Sequence, residues 1–223
     1  MHILLSIFNR ITDIIFPRTC GGCGKGGTFL CEECVSALPC AQCHKYSFIT
    51  AIFDYQNPVM RKVIWRFKYR NVCDIAMSFG ERLYEEILNE LGDELGASIR
   101  TTDADSFFLV PIPLHKKRFR ERGYNQSELL AREIIKCDNN KILQLETSAL
   151  KRTQNTKPQA KAEKRASRFK NLCGAFTAES TIVRGKHIIL IDDVTTTGAT
   201  FSEARRTLLQ AGARTVRAYA VAH

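Results

Sequence analysis

Two adjacent acids, Asp192 and Asp193, end an aliphatic run and stand directly before threonines and a glycine, in HIILIDDVTTTGAT over residues 187–200. Side-by-side carboxylates repel, and burying them unpaired costs several kcal/mol, so they require donors. The vicinal hydroxyls of a ribose supply two. The residues that follow, Thr196, Thr197, Gly198, Ala199 and Thr200, place backbone amides and hydroxyls at the start of a helix. There the positive end of the helix dipole favours phosphate. Gly198 permits the tight turn that such a concavity needs. Diol-binding acids set immediately before a phosphate loop describe a site for a ribose 5-phosphate.

A second chemistry is carried by cysteine. Six of the nine cysteines form three CxxC pairs within residues 20–43, CGGC, CEEC and CAQC. With no export signal legible in the chain, this spacing argues for a metal site rather than disulfides. Glycines in CGGCGK let backbone amides point at thiolate sulfurs, and LCEEC sets a pair at the amino end of a helix, which favours thiolates. Cys20, Cys23, Cys31 and Cys34 are the expected four-thiolate zinc site. Cys40 and Cys43, joined to Cys20 and Cys23 at the spacing of a zinc ribbon, are the alternative ligands. The expected role is structural, because so short a module cannot fold on its own core. Cys73, Cys137 and Cys173 read as small buried residues.

The acids and the loop need a scaffold, and the second half of the chain supplies an alternating one. FFLVPIP is a short apolar strand, NQSELLAREII a helix, and HIILIDDV a buried strand. TFSEARRTLLQAG is a helix opened by Thr200 and closed by Gly212, and TVRAYAVA is a last, alternating strand. This order implies an α/β fold with a mostly parallel sheet flanked by helices, and ligands of open α/β sheets bind at the carboxyl ends of the strands. Before it come a strand at AIFDYQ and helices at VMRKVIWRFKY and AMSFGERLYEEILNELGDEL, the last with Met77, Leu83, Ile87, Leu88 and Leu91 on its apolar side. Two units are expected: residues 1–48 with an amphipathic helix and the cysteine module, and residues 49–223. In the first, Leu4, Ile7, Phe8, Ile11, Ile14 and Ile15 share one helical face. The cationic stretch KRTQNTKPQAKAEKRASRFKN (151–171) fits neither strand nor helix and reads as a long binding loop or lid.

The balance of 33 Lys and Arg against 23 Asp and Glu, +10 net, favours anionic partners. No apolar run reaches the length of a membrane span. Trp65, Tyr69 and Tyr124 read as core or edge packing, and Lys68 as reaching phosphate or solvent.

These motifs carry a resemblance. IILIDDVTTTGAT resembles the phosphoribosyl pyrophosphate (PRPP) motif of type I phosphoribosyltransferases. Together with the cysteine pairs, FKYRN, VPIPLHKKRFRERGYNQSELLA and the loop KRTQNTKPQ…SRFKN…GAF, the chain is similar almost throughout to the ComF family of competence-associated proteins. The resemblance implies a type I phosphoribosyltransferase-like fold and binding of PRPP. Asp192 and Asp193 would take the ribose hydroxyls, Thr196–Thr200 the 5-phosphate, and the loop with Lys116, Lys117, Arg118 and Arg122 the pyrophosphate with its Mg²⁺. Loop 151–171 would be a hood closing over the substrates, with Arg152 and Arg168 joining Arg122 as catalytic candidates and Gln159 and Asn171 at its polar positions. It further implies a role in DNA uptake or in the use of incoming DNA, in the cytoplasm or peripheral to the inner membrane beside the uptake machinery. Three activities remain open: a Mg²⁺-dependent transferase of unknown acceptor, a non-catalytic PRPP sensor, and a single-stranded DNA-binding protein with a vestigial PRPP site.

Overall fold

The computed structural model describes residues 18–69, 73–95, 107–153 and 174–223. The expected N-terminal amphipathic helix and most of the cationic loop, Gln159, Arg168 and Asn171 included, lie outside them, as do the side chains of Cys73 and Cys173.

Apolar runs from three parts of the chain pair into one parallel sheet. Its strands are β1 (Ile49–Phe53), β2 (Phe107–Pro111), β3 (Leu143–Leu145), β6 (His187–Val194) and β7 (Thr215–Ala222). They lie in the order β1-β7-β6-β2-β3, and every pairing is parallel. β4 (Leu150–Arg152) and β5 (Phe176–Ala178) form a separate antiparallel pair. Both faces of the sheet are covered, as a parallel sheet requires. Ile189, Ile191, Tyr219 and Val221 face one core cluster, while Ile188, Leu190, Ala218 and Ala220 face the other. This corrects the expectation that TVRAYAVA alternates: β7 runs between β6 and β1 and is buried on both sides from Ala218 to Ala222.

Seven helices are described: α1 (Glu32–Ser36), α2 (Pro58–Tyr69), α3 (Cys73–Leu95), α4 (Lys116–Arg122), α5 (Gln126–Cys137), α6 (Ser180–Val183) and α7 (Ala199–Gln210). α2 opens on Pro58, whose fixed φ suits a first helical position. The Asn57 side chain accepts from the amides of Val59 and Met60. Met60, Val63, Ile64 and Phe67 make its buried stripe. On α3 the buried residues are Ile75, Ala76, Phe79, Leu83, Ile87 and Leu91. Met77, expected on that face, is 52% exposed. α3 packs tightly on α5, since a Cβ at Gly80 would stand 2.5 Å from Glu133 Cβ.

The segment expected as a cationic loop after β2 is in large part helical. His115 Nδ1 accepts from the Lys117 amide to open α4, and Gly123, at φ +79°, closes it. Lys, Arg and Glu are good helix formers, and a reading guided by their charge overlooked that. Trp65 and Tyr69, expected to pack in core or at an edge, are instead 55% and 56% exposed on α2, their rings 5.7 Å apart.

Candidate sugar-phosphate site and cysteine cluster

Asp192 and Asp193 lie at the carboxyl end of β6, where Asp192 is in register with Ala220 of β7. Beside them β2 ends at Pro111, and the Ile112 amide donates to Ile191 O. Asn125 donates its side-chain amide to Ile112 O and accepts from the Ser127 amide, which fixes the start of α5 against this end of the sheet. Ser127 is thereby buried and donates to Asp192 Oδ1 at 2.8 Å, the same oxygen that accepts the Asp193 amide at 2.9 Å. Lys68, from the last turn of α2, sets its ammonium 3.2 Å from Asp193 Oδ2. That oxygen is buried and has no aligned hydrogen-bond donor, so the contact is an ion pair with accepting capacity to spare.

Burial, and next the neighbouring Asp193, push the Asp192 carboxyl up to about 7, against the pull of Ser127, the Asp193 amide and Lys68. Sequence reading left Lys68 between phosphate and solvent; the structure gives it to Asp193. Ser127 was missed, and its one signal is its position in the helix start that follows RGYNQ.

After Asp193 the chain passes Thr195, whose amide donates to Ala222 O, and turns at Gly198 with φ +72°. Gly198 offers α7 no side-chain cap, and Thr197 Oγ1 accepts from the Ala199 amide at 3.4 Å. Thr196 is exposed, while Thr197, Ala199 and Thr200 are partly or fully buried. A Cβ on Gly198 would meet His44 Cε1 at 2.7 Å, Ile49 Cδ1 at 2.9 Å and Tyr46 Cδ2 at 3.0 Å. Segment 44–49 therefore walls this loop directly, and no sequence pattern pointed to it. His223, its ring 4.6 Å from that of His44, touches Thr195 O at 3.4 Å.

Of the expected cations, Arg152 comes into the electrostatic neighbourhood of Asp192, and Arg118 into that of Arg152. Burial lowers the Arg152 pKa, Arg118 lowers it further, and Asp192 opposes both. Lys116 and Lys117 are exposed on α4. Arg122 donates to Gln126 Oε1 at 2.9 Å and lies over the Tyr69 ring at 5.5 Å. Tyr124 donates to Phe67 O and Gln126 to Lys68 O, so RGYNQ pins the end of α2 that carries Lys68. The two ends of the cationic loop are held together, Thr153 Oγ1 donating to Gly174 O at 3.2 Å. Glu203 of α7 accepts from the Gly174 amide.

Cys20, Cys23, Cys31 and Cys34 converge, all four sulfurs lying within 4.8 Å of one another. Sulfur separations of 3.6 Å from Cys31 to Cys20 and to Cys23 match the edge of about 3.8 Å of a tetrahedron with ≈2.3 Å zinc–sulfur bonds. Burial disfavours the Cys20 thiolate, but hydrogen bonds from the amides of Cys31, Cys23 and Gly22, with Cys34 beside them, outweigh it and hold that thiol at about 6. Gly22 is required here, since a Cβ would stand 2.7 Å from Cys34 Sγ. Cys40 and Cys43 are exposed and outside the cluster, Cys40 bridging to Phe53 instead. Among the described residues no other three such side chains meet. Half-buried Cys137 is likewise outside the cluster.

Comparison with known proteins agrees with this geometry. A family model described as a phosphoribosyl transferase domain matches residues 127–223, the stretch from Ser127 through both acids to the end of β7. The chain is 30% identical over 210 residues to the DNA utilization protein YhgH of Escherichia coli O157:H7, covering 90% of this chain and 86% of that one. The chain belongs to the ComF family. It is also 32% identical over 163 residues to competence protein ComFC of Bacillus subtilis, covering 73% and 58% of the two chains. With competence protein F of Haemophilus influenzae it shares 25% over 209 residues, covering 93% and 85%. The fold is type I phosphoribosyltransferase-like, a mostly parallel sheet flanked by helices.

Proposed function

We propose that this ComF protein binds PRPP at the carboxyl end of β6 and acts in the uptake or use of DNA. The observation that carries the first half is the acid pair itself. A buried Asp193 carboxylate with an unfilled acceptor and a part-buried Asp192 stand beside the start of α7, whose N-cap is a glycine. Asp192 and Asp193 take the ribose hydroxyls, and the amides and hydroxyls of Thr196, Thr197, Gly198, Ala199 and Thr200 take the 5-phosphate. Lys116, Lys117 and Arg118 on α4 meet the pyrophosphate. Mg²⁺ is held by the phosphate oxygens, since hard cations of this kind bind through few protein groups. Arg122, Arg152 and Arg168 stabilise charge on the departing pyrophosphate if transfer occurs. Zinc fits the four-cysteine cluster and has a structural role. The second half rests on the relatives, which are named for DNA utilization and competence.

In this reading residues 1–48 form a zinc-bearing unit and residues 49–223 the phosphoribosyltransferase-like unit. Single-stranded DNA and the uptake machinery at the inner membrane are the macromolecular partners. No described helix is long and apolar enough to cross a membrane. Pyrophosphate release separates enzyme from sensor. If the protein is a transferase, incubation with Mg²⁺, PRPP and pooled nucleobases and oligonucleotides liberates pyrophosphate faster than the Asp192→Asn, Asp193→Asn variant does. Equal rates would leave it a binder.

A further inference from the structure

A second anion-accepting feature lies away from the acid pair, along α7. Two adjoining cavities, of about 560 and 610 Å³, share Ser47, Phe48, Arg205 and Leu209 and make one groove. Each is within the size range of ligand sites. The groove runs from Ser202, one turn past Gly198, along α7 to Gln210 and across Arg214–Arg217 at the start of β7. Its charge is mainly positive. Arg206 is paired with Glu203, and Arg217 with Glu90, whose other oxygen accepts from Thr50. Among the described residues neither Arg205 nor Arg214 has an ion-pair partner.

Two polar groups in this groove are unsatisfied. Arg205 Nε and Ser202 Oγ are both buried and neither has a hydrogen-bond partner among the described residues. The wall of the groove thus holds polar groups that the packing of the described residues does not satisfy. The guanidinium of Arg205 lies over the Phe48 ring at 4.7 Å, and Lys45 lies over Tyr46 at 5.3 Å. A cationic groove rimmed by aromatic rings is the arrangement that tracks an unpaired strand, phosphates on the cations and bases against the rings. A duplex, its bases stacked on each other, offers nothing to the rings.

We infer that the groove between segment 45–48 and α7 is a docking site for single-stranded DNA, distinct from the acid pair, with Arg205 and Arg214 on the phosphates. This deepens the reading above and rests on it for the choice of DNA. The test is fluorescence anisotropy of the zinc-loaded full chain with labelled oligothymidylate across a salt series, beside a PRPP titration of each variant. The expected result is salt-sensitive binding, weakened about tenfold by Arg205→Ala. Arg214→Glu, at an exposed position that tolerates change, weakens it similarly and flattens the salt slope by about 0.7 for each phosphate no longer neutralised. Both variants bind PRPP as the parent does, and Asp192→Asn, Asp193→Asn binds oligothymidylate as the parent does. Unchanged oligothymidylate affinity in Arg214→Glu and Arg205→Ala, no binding by the parent, or equal affinity for duplex would each overturn the inference. Loss of PRPP binding alone would count against the acid-pair reading and leave the groove standing.

Discussion

At the scale of residues, Asp192 is held in a state that favours its neutral form. Its folded pKa of about 7 stands above the unfolded value of a carboxyl near 4. The stability it contributes is therefore full at acid pH and is lost as pH rises from about 4 to about 7. Asp192→Asn removes the repulsion with Asp193 at every pH. Thermal melts should show the variant stabilised at pH 8 by about 1–3 kcal/mol, ~2–4 °C for each kcal/mol, and indistinguishable from the parent near pH 4. That gain should accompany loss of the proposed ligand binding, as expected where a binding site stores strain. In the proposed complex anionic Asp192 accepts a ribose hydroxyl beside Asp193, so PRPP affinity should fall below about pH 7, approaching tenfold per pH unit. Gly198 makes the complementary case. Alanine there must hold φ +72° and meet His44, Ile49 and Tyr46, so Gly198→Ala should cost about 1–3 kcal/mol in denaturant titration.

At the scale of elements, α2 connects the two candidate sites. Its last turn carries Lys68 to Asp193, while its flank receives the cysteine module: Gly21 lies against Val63, and Arg66 donates to Thr19 O at 2.7 Å. Lys68→Ala should raise the Asp192 pKa further, moving the pH below which PRPP binding fails upward, a shift that a purely structural residue would not produce. Strands β1, β2, β6 and β7, helices α5 and α7 and the acid pair were legible in the sequence because each depends on a local pattern: an apolar run, a helical stripe, or a glycine after acids. The four clustered cysteines were legible from spacing. Ser127, Lys68 and the 44–49 wall were not, because each acts across about 65 to 155 residues of chain through packing that no local pattern encodes. β3, β4 and β5 are three residues each, too short to show a period of two.

At the scale of the whole molecule, the cysteine module is not an appendage to the core. Cys20, Leu30, Cys31, Val35 and Leu38 pack in one cluster with Met60, Phe67, Leu83, Ile134, Ile191 and Tyr219. Thermal unfolding of the zinc-loaded chain should then be a single transition, with the fluorescence of the sole tryptophan, Trp65 on α2, and far-UV circular dichroism melting together. Removing the metal with a chelator should lower that one midpoint by several degrees rather than split it in two. The central claim is that a sugar phosphate binds at the end of β6. The direct measurement is calorimetric titration of the zinc-loaded protein with PRPP and Mg²⁺ at pH 8, with the Asp192→Asn, Asp193→Asn variant alongside. Saturable binding by the parent, lost in a variant that still melts cooperatively, is the expected result. Heat from the variant equal to that of the parent, or none from either, would contradict it.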